Sequence, residues 1–210
     1  MISNYLKRWR GPFGLSLLDW LAKSDITPNQ ITCIGLTLVL VNCALYPLHR
    51  DIFWFGVGLS LSSTFDALDG FIARRQGTQS HFGGYLDAVT DRYQEIAAYL
   101  VIAWVNDCWP VIFFVVTGSL LVSYTKARTA IEIPIDNKGW PDMLDRSRRM
   151  WILGGTLILD GTIPMPAALG GRLLYPVLIV FAVLTHFTAV QRFFRASRSL
   201  LAFDQKRAIR

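Results

Sequence analysis

The sequence predicts an all-α integral membrane protein, in which six transmembrane helices follow an N-terminal amphipathic helix that lies in the membrane interface. The chain of 210 residues is 52% hydrophobic, and its mean hydropathy of +0.37 is too high for an ordinary soluble domain. Apolar stretches of about 20 residues, the length of a membrane span, recur along the chain. No internal repeat is evident, so we expect a single membrane domain over residues 1–210.

Residues 2–23 have the composition of an interfacial helix. Aromatic and leucine side chains recur there at helical spacing, among them Tyr5 and Trp9, and basic residues such as Lys7 and Arg8 lie between them. Trp combined with Lys and Arg is typical of a helix in the membrane plane, and a plain surface-packed helix is the alternative. Because the first 25 residues are amphipathic rather than uniformly apolar, they do not resemble a cleavable signal peptide.

Six spans are expected between residues 27 and 199, with a basic cytoplasmic tail at 200–210. Thr27 is a suitable helix cap and Pro28 suits a first helical position, so the first span begins there. Polar loops are expected at 74–77 and 129–147. The predicted spans cover approximately 31–49, 52–72, 82–105, 109–125, the segment from 149 to 161, and 173–194.

The distribution of charge predicts the orientation. With six spans, all of the 21 Lys and Arg residues except Arg50 and Arg172 fall on one side, which the positive-inside rule makes cytoplasmic. In this orientation the protein spans the cell membrane several times, and both termini and the site described next lie on its cytoplasmic side. The net charge of +6 favours an anionic membrane surface or anionic substrates over nucleic acid. The three cysteines are expected to be small core residues without a disulfide.

Four carboxylates, Asp66, Asp69, Asp87 and Asp91, lie close together in apolar surroundings. Asp66 and Asp69 share one helical face, and Asp87 and Asp91 share a face of the next helix. Such a cluster repels itself unless cations neutralise it, and the absence of His and Cys among the acids favours hard cations. We expect two Mg²⁺ ions, for which Mn²⁺ would be a substitute, in a device suited to phosphoryl chemistry.

A second group of residues, which we call the basic cluster, consists of Ser123, Lys126, Arg149 and Arg192. They lie at the cytoplasmic ends of the fourth, fifth and sixth spans. Three cations and a hydroxyl at one depth would suit a phosphate. The alternative is that these cations only anchor the protein according to the positive-inside rule.

The aspartates belong to a longer pattern: D-x-x-D-G-x-x-A-R, eight residues, then G-x-x-x-D-x-x-x-D. This pattern resembles the signature of the CDP-alcohol phosphotransferases, and the chain matches every fixed position. The matching residues are Asp66, Asp69, Gly70, Ala73, Arg74, Gly83, Asp87 and Asp91.

The resemblance implies a Mg²⁺-dependent transfer of a lipid phosphate group from a CDP-linked lipid, CDP-diacylglycerol or CDP-archaeol, to an acceptor alcohol, with release of CMP. The four aspartates would bind the metal, and Asp91 would also be the general base. Members of the family are often homodimers. The residues implied to bind the nucleotide are Asn29, Asp69, Gly70, Arg74, Ser80, Gly83 and Asp87.

The motif Ser-Tyr-x-Lys-Ala-Arg at Ser123 resembles the branch that makes phosphatidylinositol phosphate or its archaeal ether-lipid counterpart. In that branch the basic cluster would hold the phosphate of inositol phosphate. The chain departs from the branch at Arg148, where an acid is usual, so glycerol 3-phosphate is the alternative acceptor. Glu95 is expected to pair with Arg92.

Two other classes of protein use similar acids. An intramembrane prenyltransferase would normally show two separated Asp-rich motifs and more spans. A cation transporter would be expected to show broken helices or paired repeats, and the sequence shows neither.

Overall fold

The structure is a computed structural model that describes residues 26–134, 144–164 and 171–208. Within these ranges the chain is helical and contains no strand, which confirms the all-α prediction for the described residues. The expected interfacial helix at 2–23 lies outside the described residues, as do residues 135–143 and 165–170. The helices are α1 (Pro28–His49), α2 (Ile52–Gln76), α3 (His81–Asn106), α4 (Trp109–Glu132), α5 (Arg146–Thr162) and α6 (Leu174–Ala208).

Three of these helices, α1, α4 and α6, are long and apolar enough to cross a membrane, judged by length and composition. Large apolar side chains also point outward from the bundle: Trp104 is 68% exposed and Phe113 is 62% exposed. An outer surface of this kind suits contact with lipid. Because α2 and α3 carry the four aspartates and α5 has only 17 residues, the count of six spans stays a prediction.

Side-chain caps define where several helices begin. Thr27 caps α1 as predicted, and its hydroxyl accepts a hydrogen bond of 3.3 Å from the Gln30 amide. Asp51 caps α2 and Ser80 caps α3 in the same way. Asp145 accepts from the Arg148 amide at 2.8 Å and starts α5. These oxygens satisfy amide groups that have no partner within the first turn of a helix.

Two helices extend beyond the predicted spans into the expected loops. Arg74 and Arg75 lie in the last turn of α2 rather than in a polar loop, and the capping residue that follows α2 is Gly77, whose φ of +67° suits glycine. Basic side chains are favourable at this end of a helix. Helix α4 continues to Glu132, where Arg128 Nη2 lies 2.7 Å from Glu132 Oε1. Sequence hydrophobicity marks the apolar part of a helix and not these polar extensions.

The predicted basic tail is also helical as far as Ala208, because α6 continues through it. At the other end of this helix, the Asp160 carboxylate accepts from the backbone amides of Leu173 and Leu174 at 2.6 and 2.9 Å. This contact ties the end of α5 to the start of α6.

The bundle is assembled around α2 and α3. Helix α1 packs against both, α5 packs against α2, and α6 packs against α4. In the core, the rings of Tyr46 and Phe55 stack with centroids 4.2 Å apart. Cys43 and Cys108 are buried, as predicted, but Cys33 is exposed, so the expectation of a core residue is wrong there; all three are free thiols. This packing brings the half of α3 that carries Asp91 and Glu95 close to α2, α4 and the start of α5.

Candidate active site

Asp66 of α2 and Asp91 of α3 meet at a single guanidinium, that of Arg146 at the start of α5. Arg146 Nη1 lies 2.9 Å from Asp66 Oδ2, and the same nitrogen donates to Asp91 Oδ1. The side chains of the three residues are 10%, 16% and 20% exposed for Arg146, Asp66 and Asp91. Two of the four predicted metal ligands are therefore brought together from different helices, and a cationic group lies between them.

Gln94 completes the surroundings of this ion pair. It lies three residues after Asp91 on α3, so both residues are on the same face of the helix, and it is 1% exposed. Its Nε2 donates to Asp66 Oδ1 at 3.2 Å, and its Oε1 accepts from Arg146 Nη2. Gln94 therefore fixes the orientation of both the carboxylate and the guanidinium.

Asp69 is held by a different residue, Thr32 of α1. The Asp69 side chain is buried, and the Thr32 hydroxyl lies 2.6 Å from Asp69 Oδ2 and 3.1 Å from the Pro28 carbonyl. The hydroxyl has one proton, which goes to the closer, charged acceptor. The Gly70 amide donates to the other carboxylate oxygen. Helix α1 thus fixes one of the predicted metal ligands.

The carboxylate oxygens of the four aspartates are ligands of the kind that a hard divalent cation prefers. A positive group, the Arg146 guanidinium, already lies between Asp66 and Asp91. In the part of the chain that the structure describes, no group of three or more His, Cys, Asp and Glu residues forms a ready-made metal cage. Charge compensation at Asp66 and Asp91 comes from Arg146 instead.

A cavity of about 340 Å³ opens where the start of α1 faces the end of α2. Asn29 and Ser80, both predicted to touch nucleotide, lie on its wall together with Gln76 and Thr78. Gly83 adjoins it: a Cβ there would lie 3.1 Å from Ser80 Oγ and 3.2 Å from Asn29 Oδ1. The structure therefore brings Asn29, Ser80 and Gly83 together.

Arg74 lies close to Gly70, one turn earlier in α2. A Cβ at Gly70 would be 3.3 Å from Arg74 Nη1, so the guanidinium folds back along its own helix. The Arg74 residue is exposed and available to an anion at this end of α2. Two further residues of the predicted nucleotide site are thus neighbours.

Arg149 of the basic cluster is buried, and its three nitrogen atoms all donate hydrogen bonds. Nε donates to Glu95 Oε1 at 2.8 Å, Nη1 to the Leu144 carbonyl at 2.8 Å, and Nη2 to Ser119 Oγ at 2.6 Å. The expectation that Glu95 pairs with Arg92 is wrong. Glu95 lies on the face of α3 that is turned towards α4 and α5, where it is 2% exposed and meets Arg149.

Arg92 instead links Asp91 to Ser123 of the basic cluster. Its Nε donates to Ser123 Oγ at 3.0 Å, and its Nη1 lies 3.7 Å from Asp91 Oδ2. Arg192 reaches the same part of α4, where Nη1 donates to the Val122 carbonyl at 2.6 Å. Lys126 lies one turn beyond Ser123 on α4 and is half-buried. Ser123, Arg149 and Arg192 therefore converge on one stretch of α4.

Sequence reasoning missed four residues of this site: Thr32, Gln94, Ser119 and Arg146. Three of them are uncharged polar residues within apolar helices. Their spacing offers the only available signal, since Gln94 follows Asp91 by three residues and Ser119 precedes Ser123 by four. Arg146 lies in a short run of basic residues, and nothing in that run distinguishes it from Arg148.

The chain belongs to the CDP-alcohol phosphatidyltransferase family, whose model matches residues 25–190. Among similar proteins, archaetidylinositol phosphate synthase of Pyrococcus horikoshii is 38% identical over 112 residues, which cover 53% of this chain and 59% of that protein. Phosphatidylinositol phosphate synthase of Corynebacterium glutamicum is 33% identical over 118 residues, which cover 50% of this chain and 52% of the relative.

Solved structures of Mycobacterium tuberculosis phosphatidylinositol phosphate synthase share the fold. One, with CDP-DAG bound, has a TM-score of 0.71 at 24% identity and covers 86% of this chain and 92% of its own. Another, in complex with manganese and citrate, has a TM-score of 0.72 at 24% identity, with 86% and 87% covered. The family that the aspartate pattern indicates is therefore confirmed.

Proposed function

We propose that this protein transfers a phosphatidyl or archaetidyl group from a CDP-linked lipid to a phosphorylated polyol, with inositol phosphate as the preferred acceptor and CMP as the leaving group. The observation that carries the proposal is the meeting of Asp66 and Asp91 at one cationic group, with Asp91 linked through Arg92 to Ser123 of the basic cluster. The relatives named for inositol phosphate lipids support the choice of acceptor.

The divalent metal would be held by Asp66, Asp69, Asp87 and Asp91. Two Mg²⁺ ions would neutralise the pyrophosphate of the CDP-linked lipid and the negative charge that develops on the phosphate of CMP as it leaves. Thr32 and Gln94 orient the carboxylates of Asp69 and Asp66, which reduces the rearrangement needed for the reaction. The related structure with manganese supports a divalent cation in this family.

Asp91 is the proposed general base. It would take the proton from the acceptor hydroxyl, whose oxygen forms a bond to the lipid-side phosphorus as the bond from that phosphorus to the CMP oxygen breaks. Arg92 lies beside Asp91 and also donates to Ser123, so it spans the path between the proposed base and the proposed acceptor site. Orientation of the hydroxyl next to the base accounts for much of the rate in such reactions.

The nucleotide would enter the cavity beside Asn29 and Ser80. Gly83 leaves space there, because a side chain would crowd both residues. Arg74 would hold a phosphate from the loop side, beside Gly70, and Asp69 and Asp87 complete the proposed nucleotide site. A related protein solved with CDP-DAG bound supports a CDP-linked lipid as the donor.

The acceptor phosphate would bind at the basic cluster. Ser123 and Lys126 are the members best able to contact it directly, because each is partly exposed. Arg149 and Arg192 are buried behind them, so they would contribute positive charge and hold α4 in place. A phosphate would be an anionic partner for the partly exposed Lys126, whereas the charge of Arg149 is already compensated by Glu95.

We also propose six spans within one membrane domain, with both termini and the active site in the cytoplasm, and a homodimer. The support for the orientation is the placement of nearly all Lys and Arg on one side. Cytoplasmic nucleotide and Mg²⁺ would then reach the acids, and the lipid would enter sideways from the bilayer.

The experiment that tests the function is an acceptor panel. Purified protein in lipid nanodiscs is incubated with CDP-diacylglycerol or CDP-archaeol, Mg²⁺, and one of inositol phosphate, glycerol 3-phosphate, free inositol or serine, and CMP is measured. We expect the fastest release with inositol phosphate and none in the presence of a chelator. Faster release with glycerol 3-phosphate would change the polyol assignment, and faster release with free inositol or serine would refute the phosphate pocket.

A further inference from the structure

We propose that Arg146 is a displaceable internal counter-ion, which competes with the divalent cation for the carboxylates of Asp66 and Asp91. This inference rests on the proposed function, because it assumes that these two residues are metal ligands. It assigns a role to a residue outside the family pattern of aspartates and outside the basic cluster.

The contacts place the guanidinium where a cation is required. One nitrogen, Nη1, serves both Asp66 Oδ2 and Asp91 Oδ1, and its two hydrogen atoms are enough for both bonds. A divalent cation bound by the same carboxylates would lie within a few ångströms of this positive group. Like charges so close repel each other at a site where the side chains are only 10–20% exposed, so both cannot keep their full contacts.

Arg146 is held less completely than its neighbour Arg149. All three nitrogen atoms of Arg149 have acceptors. In Arg146, Nη1 and Nη2 have acceptors, but Nε is buried without a hydrogen-bond partner. A buried donor without an acceptor is unfavourable. The same helix therefore presents one guanidinium whose nitrogen atoms all have acceptors and one whose Nε has none.

The position of Arg146 at the start of α5 gives the helix no stability that would oppose displacement of its side chain. It is the first residue of the helix, directly after the cap Asp145. A positive side chain in the first turn is unfavourable with respect to the helix dipole. Its place is therefore explained by the two carboxylates that it contacts and not by the stability of α5.

The test is the affinity of purified full-length protein for Mn²⁺ in the absence of any substrate, measured by electron paramagnetic resonance of the free ion. Arg146→Gln removes the charge and keeps a polar side chain. We expect it to bind Mn²⁺ on the order of tenfold more tightly than the wild type, the effect of removing one charge-assisted contact. The matched control is Arg148→Gln, which removes the same charge two residues away, where the side chain pairs with Asp145 at 3.5 Å. That variant should bind Mn²⁺ as the wild type does.

Equal or weaker binding of Mn²⁺ by Arg146→Gln would overturn the inference and make Arg146 a fixed part of the metal site. An equal gain in Arg148→Gln would also overturn it, because the effect would then be one of general charge. If Arg146→Gln does not fold, Arg146→Lys replaces it: a lysine cannot make the same forked contacts, so Mn²⁺ binding should again be tighter, and an unchanged affinity would refute the proposal. Because no substrate is used, failure of this inference leaves CMP release in the acceptor panel unaffected, and failure of the proposed reaction leaves the Mn²⁺ comparison intact.

Discussion

Arg149 and Glu95 form an ion pair almost completely withdrawn from solvent: Nη2 lies 2.7 Å from Oε1, and each side chain is 3% exposed. The pair joins the start of α5 to the middle of α3, and Ser119 of α4 contacts Arg149 as well. Three helices of the candidate active site are thus fixed to one another at a point just behind the proposed acceptor phosphate.

Glu95→Gln should destabilise the protein by about 3–5 kcal/mol, because removing one partner leaves a buried charge without compensation. Thermal or denaturant unfolding in detergent checks this. The matched control is Glu132→Gln, which breaks an ion pair with Arg128 of the same 2.7 Å length whose side chains are about half exposed. Exposed pairs contribute about 0–1 kcal/mol, so similar losses in the two variants would contradict the prediction.

Asp91→Asn should lower turnover by roughly 10²- to 10⁴-fold, the usual cost of losing a general base, while the CDP-lipid still binds. Turnover and nucleotide binding are measured separately on the same preparation. Asp107→Asn is the control: this exposed residue ends α3 with a φ of 50°, a conformation that asparagine adopts readily. A variant at Asp91 that loses nucleotide affinity and keeps turnover would assign the residue to metal binding alone.

Gly83→Ala should raise the KM for the CDP-lipid up to about tenfold, as expected when one or two hydrogen-bonding side chains are moved. The new Cβ would lie 3.1 Å from Ser80 Oγ and 3.2 Å from Asn29 Oδ1, so both must shift at the wall of the cavity. Gly84→Ala is the control, because a Cβ there has nothing within 4 Å. Steady-state kinetics measure both KM values, and equal values in the two variants would show that Gly83 is not part of the nucleotide site.

Lys126→Ala should raise the KM for the phosphorylated acceptor about tenfold or more and leave the KM for the CDP-lipid unchanged, because a charged contact to phosphate is lost. Arg128→Ala on the same helix is the control, since Arg128 is exposed and pairs with Glu132. An equal change in both variants would indicate a general effect of charge and would argue against a phosphate pocket at Lys126.

Much of the fold could be predicted from the sequence because hydrophobic stretches and caps are local signals. Thr27 marks the start of α1 for this reason, and the acids of α2 and α3 stand out against apolar surroundings. The partners of those acids could not be predicted, since Arg146 and Thr32 approach from helices distant in sequence. The expected pairing of Glu95 with Arg92 is wrong because it rests on proximity along the chain. The true partner, Arg149, is brought to Glu95 by the packing of α5.

In the proposed reaction, a lipid phosphate group moves from the CDP-linked lipid to an acceptor that already carries a phosphate. The most direct measurement is mass spectrometry of the lipid product after purified protein has reacted with CDP-diacylglycerol, Mg²⁺ and an equimolar mixture of inositol phosphate, free inositol, glycerol 3-phosphate and serine. We expect a phospholipid whose head group is inositol phosphate, formed together with an equal amount of CMP. A product carrying unphosphorylated inositol or serine, or no new phospholipid under these conditions, would contradict it.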